Sequence, residues 1–245
     1  MTAAGSAGLA AVAIETATET VGVAVRAPDG VEAEFALTGR RRHVETLTPA
    51  LQHVLAQVGL APQDLQAIVV DVGPGLFTGL RVGVAAAKGL AQSLGLGVMC
   101  ATSLEILGAG AVAAGHCGLV LACVDARRGE VFASVRELGP DGEAVAEPVP
   151  AALFAPDDLA VVLAQLGGAP VCAVGDGAQR YAEVLAAVPG VDVVTPALAF
   201  PPPSALLRLG LGRLARGESP VDAASVVPLY MRDADAKSNF AQARA

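Results

Sequence analysis

The sequence has 245 residues, of which 53% are apolar and 16% charged, so it is not a disordered chain and can form a large core. The formal net charge of −8 argues against a free-standing nucleic-acid-binding protein, because such proteins neutralise phosphates with cations. No apolar run approaches the roughly 18 residues that suggest a membrane span. The four cysteines form no Cys-x-x-Cys pair, so we expect reduced thiols and a cytoplasmic protein without a membrane partner.

The first hundred residues predict the element order β-β-β-α-β-α-β. Apolar stretches and tight turns indicate three consecutive strands, after which the apolar period changes to that of a helix. The predicted strands cover 9–14, 21–25, 31–37, 67–72 and 98–101, and the predicted helices cover 43–58 and 79–94. Thr102 and Glu105 fit a capping box that begins a third helix.

The second half repeats this order of elements. Strands are predicted over 119–124, 130–138, 143–149, 171–174 and 191–195, and helices over 156–166, 178–188 and 204–216. Three meandering strands followed by α-β-α-β imply a mixed sheet with helices on its faces. Two such units in one chain resemble the actin, Hsp70 and hexokinase superfamily, whose members bind ATP between the halves.

We therefore expect an α/β protein with two actin-like lobes, over residues 1–104 and 117–216. The glycines Gly108, Gly110 and Gly115 are expected to loosen the connection between the lobes. Residues 217–245 are interpreted as a tail, and we expect the helix from Ser204 and this tail to fold back onto the first lobe.

The segment from Gly73 to Arg81 lies between a predicted strand and a predicted helix, where free backbone N–H groups favour an anion. It matches neither a Walker A loop nor Gly-x-Gly-x-x-Gly, and a Gly-Pro-Gly turn is more often structural than functional. The weak candidates for cofactor contacts in this segment are Gly73, Gly75, Thr78 and Gly79.

The helix that follows carries a row of small residues four positions apart: Gly79, Gly83, Ala87 and Ala91. Interior glycines cost about 1 kcal/mol each relative to alanine, so something must approach this row closely. The row fits either tight packing on the sheet or the helix of a partner chain, and the residues alone favour neither.

Several motifs together resemble the TsaB (YeaZ) family, the non-catalytic subunit of the bacterial tRNA threonylcarbamoyladenosine machinery. The central motif is Gly-Pro-Gly-x-Phe-Thr-Gly-Leu-Arg within residues 72–93, and the others fall in family order at 14–18, 42–49, 103–105, 125–132 and 228–232. Glu15 departs from the pattern, since the family usually has Asp there.

The resemblance implies a subunit that works with the catalytic paralogue TsaD and the ATPase TsaE, contacts tRNA only through the complex, and can form a homodimer when alone. TsaD carries a pair of metal-binding histidines, which fall on Ser103 and Leu107 when its motif is laid on this chain. Neither residue replaces imidazole as a ligand, so the expectation is no metal, no cofactor and no catalytic residue in this chain.

The resemblance also implies a partner surface on the first two helices, over 43–58 and 79–94. The residues expected there are His43, Leu47, Leu51, Val54, Gly79, Gly83, Ala87 and Leu90. Which face of each helix meets the partner stays open. The alternative is a free-standing ATP-dependent enzyme of the superfamily, either a small kinase or a glycoprotease-like peptidase.

Overall fold

The first sheet has the strand order β3-β2-β1-β4-β5 in a computed structural model that describes residues 8–39, 42–194 and 196–231. Strands β1 to β3 form an antiparallel meander, and β4 and β5 run parallel to β1. The five strands are Ala11–Glu15, Thr20–Arg26, Glu32–Thr38, Ala67–Asp71 and Val98–Ala101.

The second sheet repeats this topology with the order β10-β9-β6-β7-β8. Its strands, numbered along the chain, are Gly118–Arg127, Glu130–Leu138, Ala144–Phe154, Val171–Val174 and Val191–Val193. Again three antiparallel strands come first and two parallel strands follow. The predicted α/β class and the two actin-like mixed sheets are therefore confirmed.

Alternation along β1 decides what covers each face of the first sheet. Val12 and Ile14 point toward helices α1 (His43–Gln57) and α2 (Phe77–Leu94). Ala11 and Ala13 line the other face, which is covered by α7 (Pro203–Ala215). Residues 203–215, which the expected bounds count with the second lobe, thus pack on the first sheet.

The close approach of α7 depends on small side chains. A Cβ on Gly210 of α7 would overlap the side chain of Val69 in β4, so only glycine fits at this position. The Glu34 carboxylate accepts a hydrogen bond from the Ser204 backbone N–H at 3.0 Å and caps the start of the helix.

The second lobe has shorter helices than the sequence predicts. Helix α4 covers Pro156–Ala164, and the single helix expected over 178–188 is instead two short helices, α5 (Asp176–Arg180) and α6 (Ala182–Ala186). The break falls at Tyr181, whose backbone angles of −112° and 29° leave the helical region. The third strand of this lobe also extends five residues beyond its predicted end at Val149.

The connection between the lobes is a packed helix, so the expectation that glycines loosen it is wrong. Helix α3 (Ser103–Ala113) begins at the predicted capping box of Thr102 and Glu105. Gly108 lies against Leu138, and Gly110 lies against Pro202. These two glycines allow close helix packing, whereas Gly115 lies in the turn after α3 with a φ of 93°.

The tail continues along the first lobe as far as residue 231, and residues 232–245 lie outside the described part of the chain. Val221 forms an isolated antiparallel bridge with Val98, and the Leu229 N–H donates to the Val72 carbonyl at 2.7 Å. The Lys88 ammonium of α2 donates to the carbonyls of Ala224 and Val226. Among the described residues, no helix is long and apolar enough to cross a membrane.

Candidate functional site

The loop that joins β4 to α2 packs directly against the turn that joins β1 to β2. The Leu76 N–H donates to the Ala17 carbonyl at 2.6 Å, and the Thr16 hydroxyl donates to the Gly79 carbonyl at 2.8 Å. Both segments end strands at the edge of the sheet that faces the second lobe, where Glu19 pairs with Arg127, and we call this region between the lobes the cleft.

Glycines in this loop and helix make the contact possible. A Cβ on Gly75 would overlap the Ala17 carbonyl, and one on Gly79 would overlap the Thr16 carbonyl. A Cβ on Gly83 would overlap the Thr16 hydroxyl oxygen. Packing within the chain thus accounts for these glycines, which the sequence left as candidates for a cofactor or a partner.

Two buried carboxylates lie on the first-lobe side of the cleft. Asp71 is fully buried and accepts hydrogen bonds from the Gly73 N–H at 2.7 Å and from the Ser103 hydroxyl at 2.8 and 2.9 Å. Burial raises the pKa of Asp71 to about 7 despite these bonds. Burial and the neighbouring Asp71 also raise the pKa of Glu15.

Glu15 satisfies only one of its two carboxylate oxygens. Its Oε1 accepts a hydrogen bond from the Ala17 N–H at 2.7 Å, whereas the buried Oε2 has no partner. An ionised carboxylate in such surroundings is costly, so this site favours the protonated acid. The Glu15 carboxyl group is thus folded back onto the turn that follows β1.

The second-lobe side of the cleft is built in the same way. The Asp125 N–H donates to Asp176 at 2.9 Å, and the Arg127 N–H donates to Asp125 at 2.9 Å. The Arg127 guanidinium pairs with Asp125 at 2.9 Å and reaches Glu19 of the first lobe at 2.6 Å. Burial raises the pKa of Asp176 to about 6.

The cleft therefore uses its own carboxylates to satisfy the backbone N–H groups that face it. The amides of Ala17, Gly73, Asp125 and Arg127 all donate to aspartate or glutamate side chains. A phosphate would have to displace these side chains from the amides that they already satisfy.

The two positions where the paralogue's metal-binding histidines fall have other roles here. Ser103 donates to Asp71, and Leu107 is completely buried in the core that α3 forms with the second sheet. Over the described ranges, no group of three or more histidine, cysteine, aspartate or glutamate side chains could hold a metal ion.

Most of the residues expected to meet a partner are buried inside this chain. The buried members are His43, Leu47, Val54, Gly79, Gly83 and Ala87. The His43 Nε2 lies 2.8 Å from the Thr18 carbonyl, and the aliphatic members pack between the helices and the first sheet. The small-residue row is therefore a core feature, and the expectation that these six contact a partner is corrected.

The opposite face of α2 carries a different set of small residues. Thr78, Ala85 and Gly89 are exposed, and Val82, Ala86 and Leu90 are partly exposed. On α1, Val44 is 75% exposed and Leu51 is partly exposed. Of the expected interface residues, Leu51 and Leu90 thus remain accessible, and the exposed Ala85 and Gly89 beside Leu90 were not among the residues expected there.

The two helices are also unusually poor in charge. Together they contain a single acidic residue, Glu45, although the whole chain has 24. Their basic residues are Arg81 and Lys88, and the Lys88 ammonium is bound by tail carbonyls. Depletion of charge together with accessible apolar side chains is typical of protein–protein interfaces.

Comparison with known proteins identifies the family of the chain. The family model for TsaD, a tRNA N6-adenosine threonylcarbamoyltransferase, matches residues 29–240. The tRNA threonylcarbamoyladenosine biosynthesis protein TsaB of Bacillus subtilis is 32% identical over 95% of this chain and 98% of its own length. The chain belongs to the TsaB (YeaZ) family. TsaB is involved in the biosynthesis of threonylcarbamoyladenosine in tRNA.

Two further relatives extend the comparison. The structure of YeaZ from Pseudomonas aeruginosa superposes with a TM-score of 0.78 at 29% identity, covering 91% of this chain and 99% of that one. A stretch of 54 residues, 22% of this chain and 15% of the relative, is 50% identical to the tRNA N6-adenosine threonylcarbamoyltransferase of Magnetococcus marinus. The chain is thus similar to the transferase as well as to TsaB.

Proposed function

We propose that this TsaB protein is a non-catalytic subunit that binds TsaD and supports the transfer of a threonylcarbamoyl group to N6 of the adenosine following the tRNA anticodon. In this proposal TsaD supplies the metal and the chemistry, and threonylcarbamoyl-adenylate is the donor. TsaE joins the heterodimer, and the complex acts on tRNA in the cytoplasm.

The observation that carries the proposal is the exposed, charge-poor face of α1 and α2 on a protein of net charge −8. Outward-facing residues such as Ala85 and Gly89 allow a second helix to approach closely, because they add little bulk to the helix surface. TsaD is homologous to this chain over residues 29–240 and is expected to offer a matching pair of helices.

The self-satisfied cleft supports a non-catalytic role. Its amides are already hydrogen-bonded to Glu15, Asp71, Asp125 and Asp176, so an incoming nucleotide would have to displace these side chains. We therefore expect no cofactor to be retained and no turnover by this chain alone.

The deciding experiment places a charge on the proposed surface. Ala85→Arg puts a long cation at the centre of the exposed α2 face, and we expect it to abolish binding to TsaD of the same organism in titration calorimetry. Val161→Arg on α4 of the second lobe is the matched control, since Val161 is 63% exposed and lies outside the proposed surface.

Both variants should melt like the wild type, because neither side chain is buried. Equal binding by Ala85→Arg and wild type would remove this helix face from the partner surface. Tight binding of Mg-ATP by the purified chain alone would instead favour the free-standing ATP-dependent enzyme.

A further inference from the structure

Exposed apolar side chains concentrate along α2 and the tail. Nine large hydrophobic side chains of the described chain are exposed, and five belong to α2 or to the tail beside it. These five are Phe77, Val221, Val227, Leu229 and Tyr230. An apolar concentration of this kind on one side of a protein marks an interaction surface more often than scattered single residues do.

Three of the residues on this side form an ordered cluster. The Phe77 and Tyr230 rings lie 5.2 Å apart between centroids, although 153 positions separate them in the sequence. The Arg81 guanidinium carbon lies 3.7 Å from the Phe77 ring centroid, and the Arg81 Nε donates to the Tyr230 hydroxyl at 3.1 Å. Both rings remain close to half exposed, at 46% and 45%.

The backbone next to Tyr230 is fixed from two directions. The Leu229 N–H donates to the Val72 carbonyl at 2.7 Å, and Lys88 holds the Val226 carbonyl at 3.0 Å. The cluster is therefore arranged before a partner arrives, which lowers the entropy cost of binding.

Among the described residues, no carboxylate pairs with Arg81. Six other arginines do have carboxylate partners: Arg26, Arg127, Arg136, Arg180, Arg213 and Arg216. The Phe77 ring and the Tyr230 hydroxyl fix the orientation of the Arg81 guanidinium. A guanidinium held in this way can bind an external carboxylate in bidentate fashion.

We propose that the Phe77–Arg81–Tyr230 cluster anchors the partner, which places a carboxylate on Arg81 and an apolar side chain on the two rings. This inference rests on the proposed function, because Arg81 lies one turn before Ala85 and the cluster continues the charge-poor face of α2. In this proposal the tail forms part of the TsaD-binding surface together with α1 and α2. Tyrosine and arginine are also the residue types that most often dominate binding energy.

The test measures the affinity of the full chain for TsaD of the same organism. Arg81→Glu should weaken binding by about 30-fold or more, as expected for reversal of a hot-spot charge, and Tyr230→Ala by about tenfold. Arg81→Lys should recover only part of the affinity, because lysine keeps the charge without the planar fork. Added salt should weaken the wild-type complex more than the Arg81→Gln complex.

Val145→Ala is the control, since Val145 is 70% exposed in the second lobe and should bind TsaD like the wild type. Unchanged melting temperatures would show that the variants fold. If Ala85→Arg abolishes binding while Arg81→Glu and Tyr230→Ala bind normally, this inference is overturned and the proposed function stands.

Two other outcomes would also overturn the inference. If wild-type protein fails to bind TsaD, the proposed function falls and the anchor falls with it. If Arg81→Glu changes only self-association of the purified chain, measured by sedimentation, the occupant of the cluster is a second copy.

Discussion

The two lobes share one strand topology but present different surfaces. In the first lobe, helices of 15 and 18 residues cover the sheet and carry one acidic residue. In the second lobe, the corresponding helices have 9, 5 and 5 residues and carry four acidic residues, Asp157, Asp158, Asp176 and Glu183. A repeated topology therefore sets the layer order without setting the surface, and only the first lobe has the long, charge-poor helices that a helical partner needs.

The lobes also differ in how deeply their acids are buried at the cleft. Glu15 and Asp71 of the first lobe are fully buried, whereas Asp125 and Asp176 of the second lobe lie closer to solvent and next to Arg127. The stability of the first lobe should therefore depend more strongly on pH. Two of the four predictions below compare the lobes, and two compare the inner and outer faces of α2. They are given in order of decreasing change in stability.

The first prediction concerns Asp71→Asn. The pKa of Asp71 is about 7 in the folded chain against 3.8 ordinarily, so the folded state binds this proton more tightly. The contribution of Asp71 to stability should be fully present below pH 4 and should be lost as the pH rises through 7. Asparagine removes this loss, and we expect a gain of roughly 2–4 kcal/mol at pH 8 in urea unfolding.

Asp176→Asn is the matched variant in the second lobe. Because the pKa of Asp176 is about 6, the gain in stability from Asp176→Asn should be smaller and should appear over a lower pH range than the gain from Asp71→Asn. An equal gain in stability from both variants would contradict the stronger pH dependence expected for the first lobe.

The second prediction concerns the inner face of α2. Gly83→Ala should destabilise the protein by about 1–3 kcal/mol, because the added methyl group overlaps the Thr16 hydroxyl oxygen. Thermal or urea unfolding measures this change. An unaltered melting temperature would mean that the turn before β2 can move away from the helix.

The third prediction concerns the outer face of the same helix. Gly89→Ala should stabilise the protein by about 1 kcal/mol, because alanine is the better helix former and a Cβ there meets no neighbouring atom within 4 Å. The two glycines are six positions apart and should change stability in opposite directions. The same sign for both in urea unfolding would contradict the assignment of the two faces.

The fourth and smallest prediction concerns the ion pair between the lobes. Glu19→Gln should cost about 1 kcal/mol or less, because Arg127 is 40% exposed. Hydrogen exchange should nevertheless increase in the two turns that the pair connects. Glu32→Gln, which breaks a pair within the first lobe, is the control and should leave the turn at residues 125–129 unchanged.

The order of the strands, the start of α3 and the family of this protein could all be predicted from its sequence alone. Apolar periodicity predicted ten strands in two repeated groups, and the capping box at Thr102 placed the start of α3 correctly. The Gly-Pro-Gly motif and its companions identified the family. These features depend on local residue patterns, which can be recognised without knowledge of the tertiary contacts.

The exposed face of α2 and the contacts that require glycine, in contrast, depend on tertiary packing. The row from Gly79 to Ala91 turned inward because the Thr16 backbone lies against it, and no local pattern contains that contact. The break at Tyr181 and the position of α7 on the first sheet depend on packing in the same way. The Phe77–Tyr230 contact joins residues 153 positions apart, so it exists only once the chain has folded.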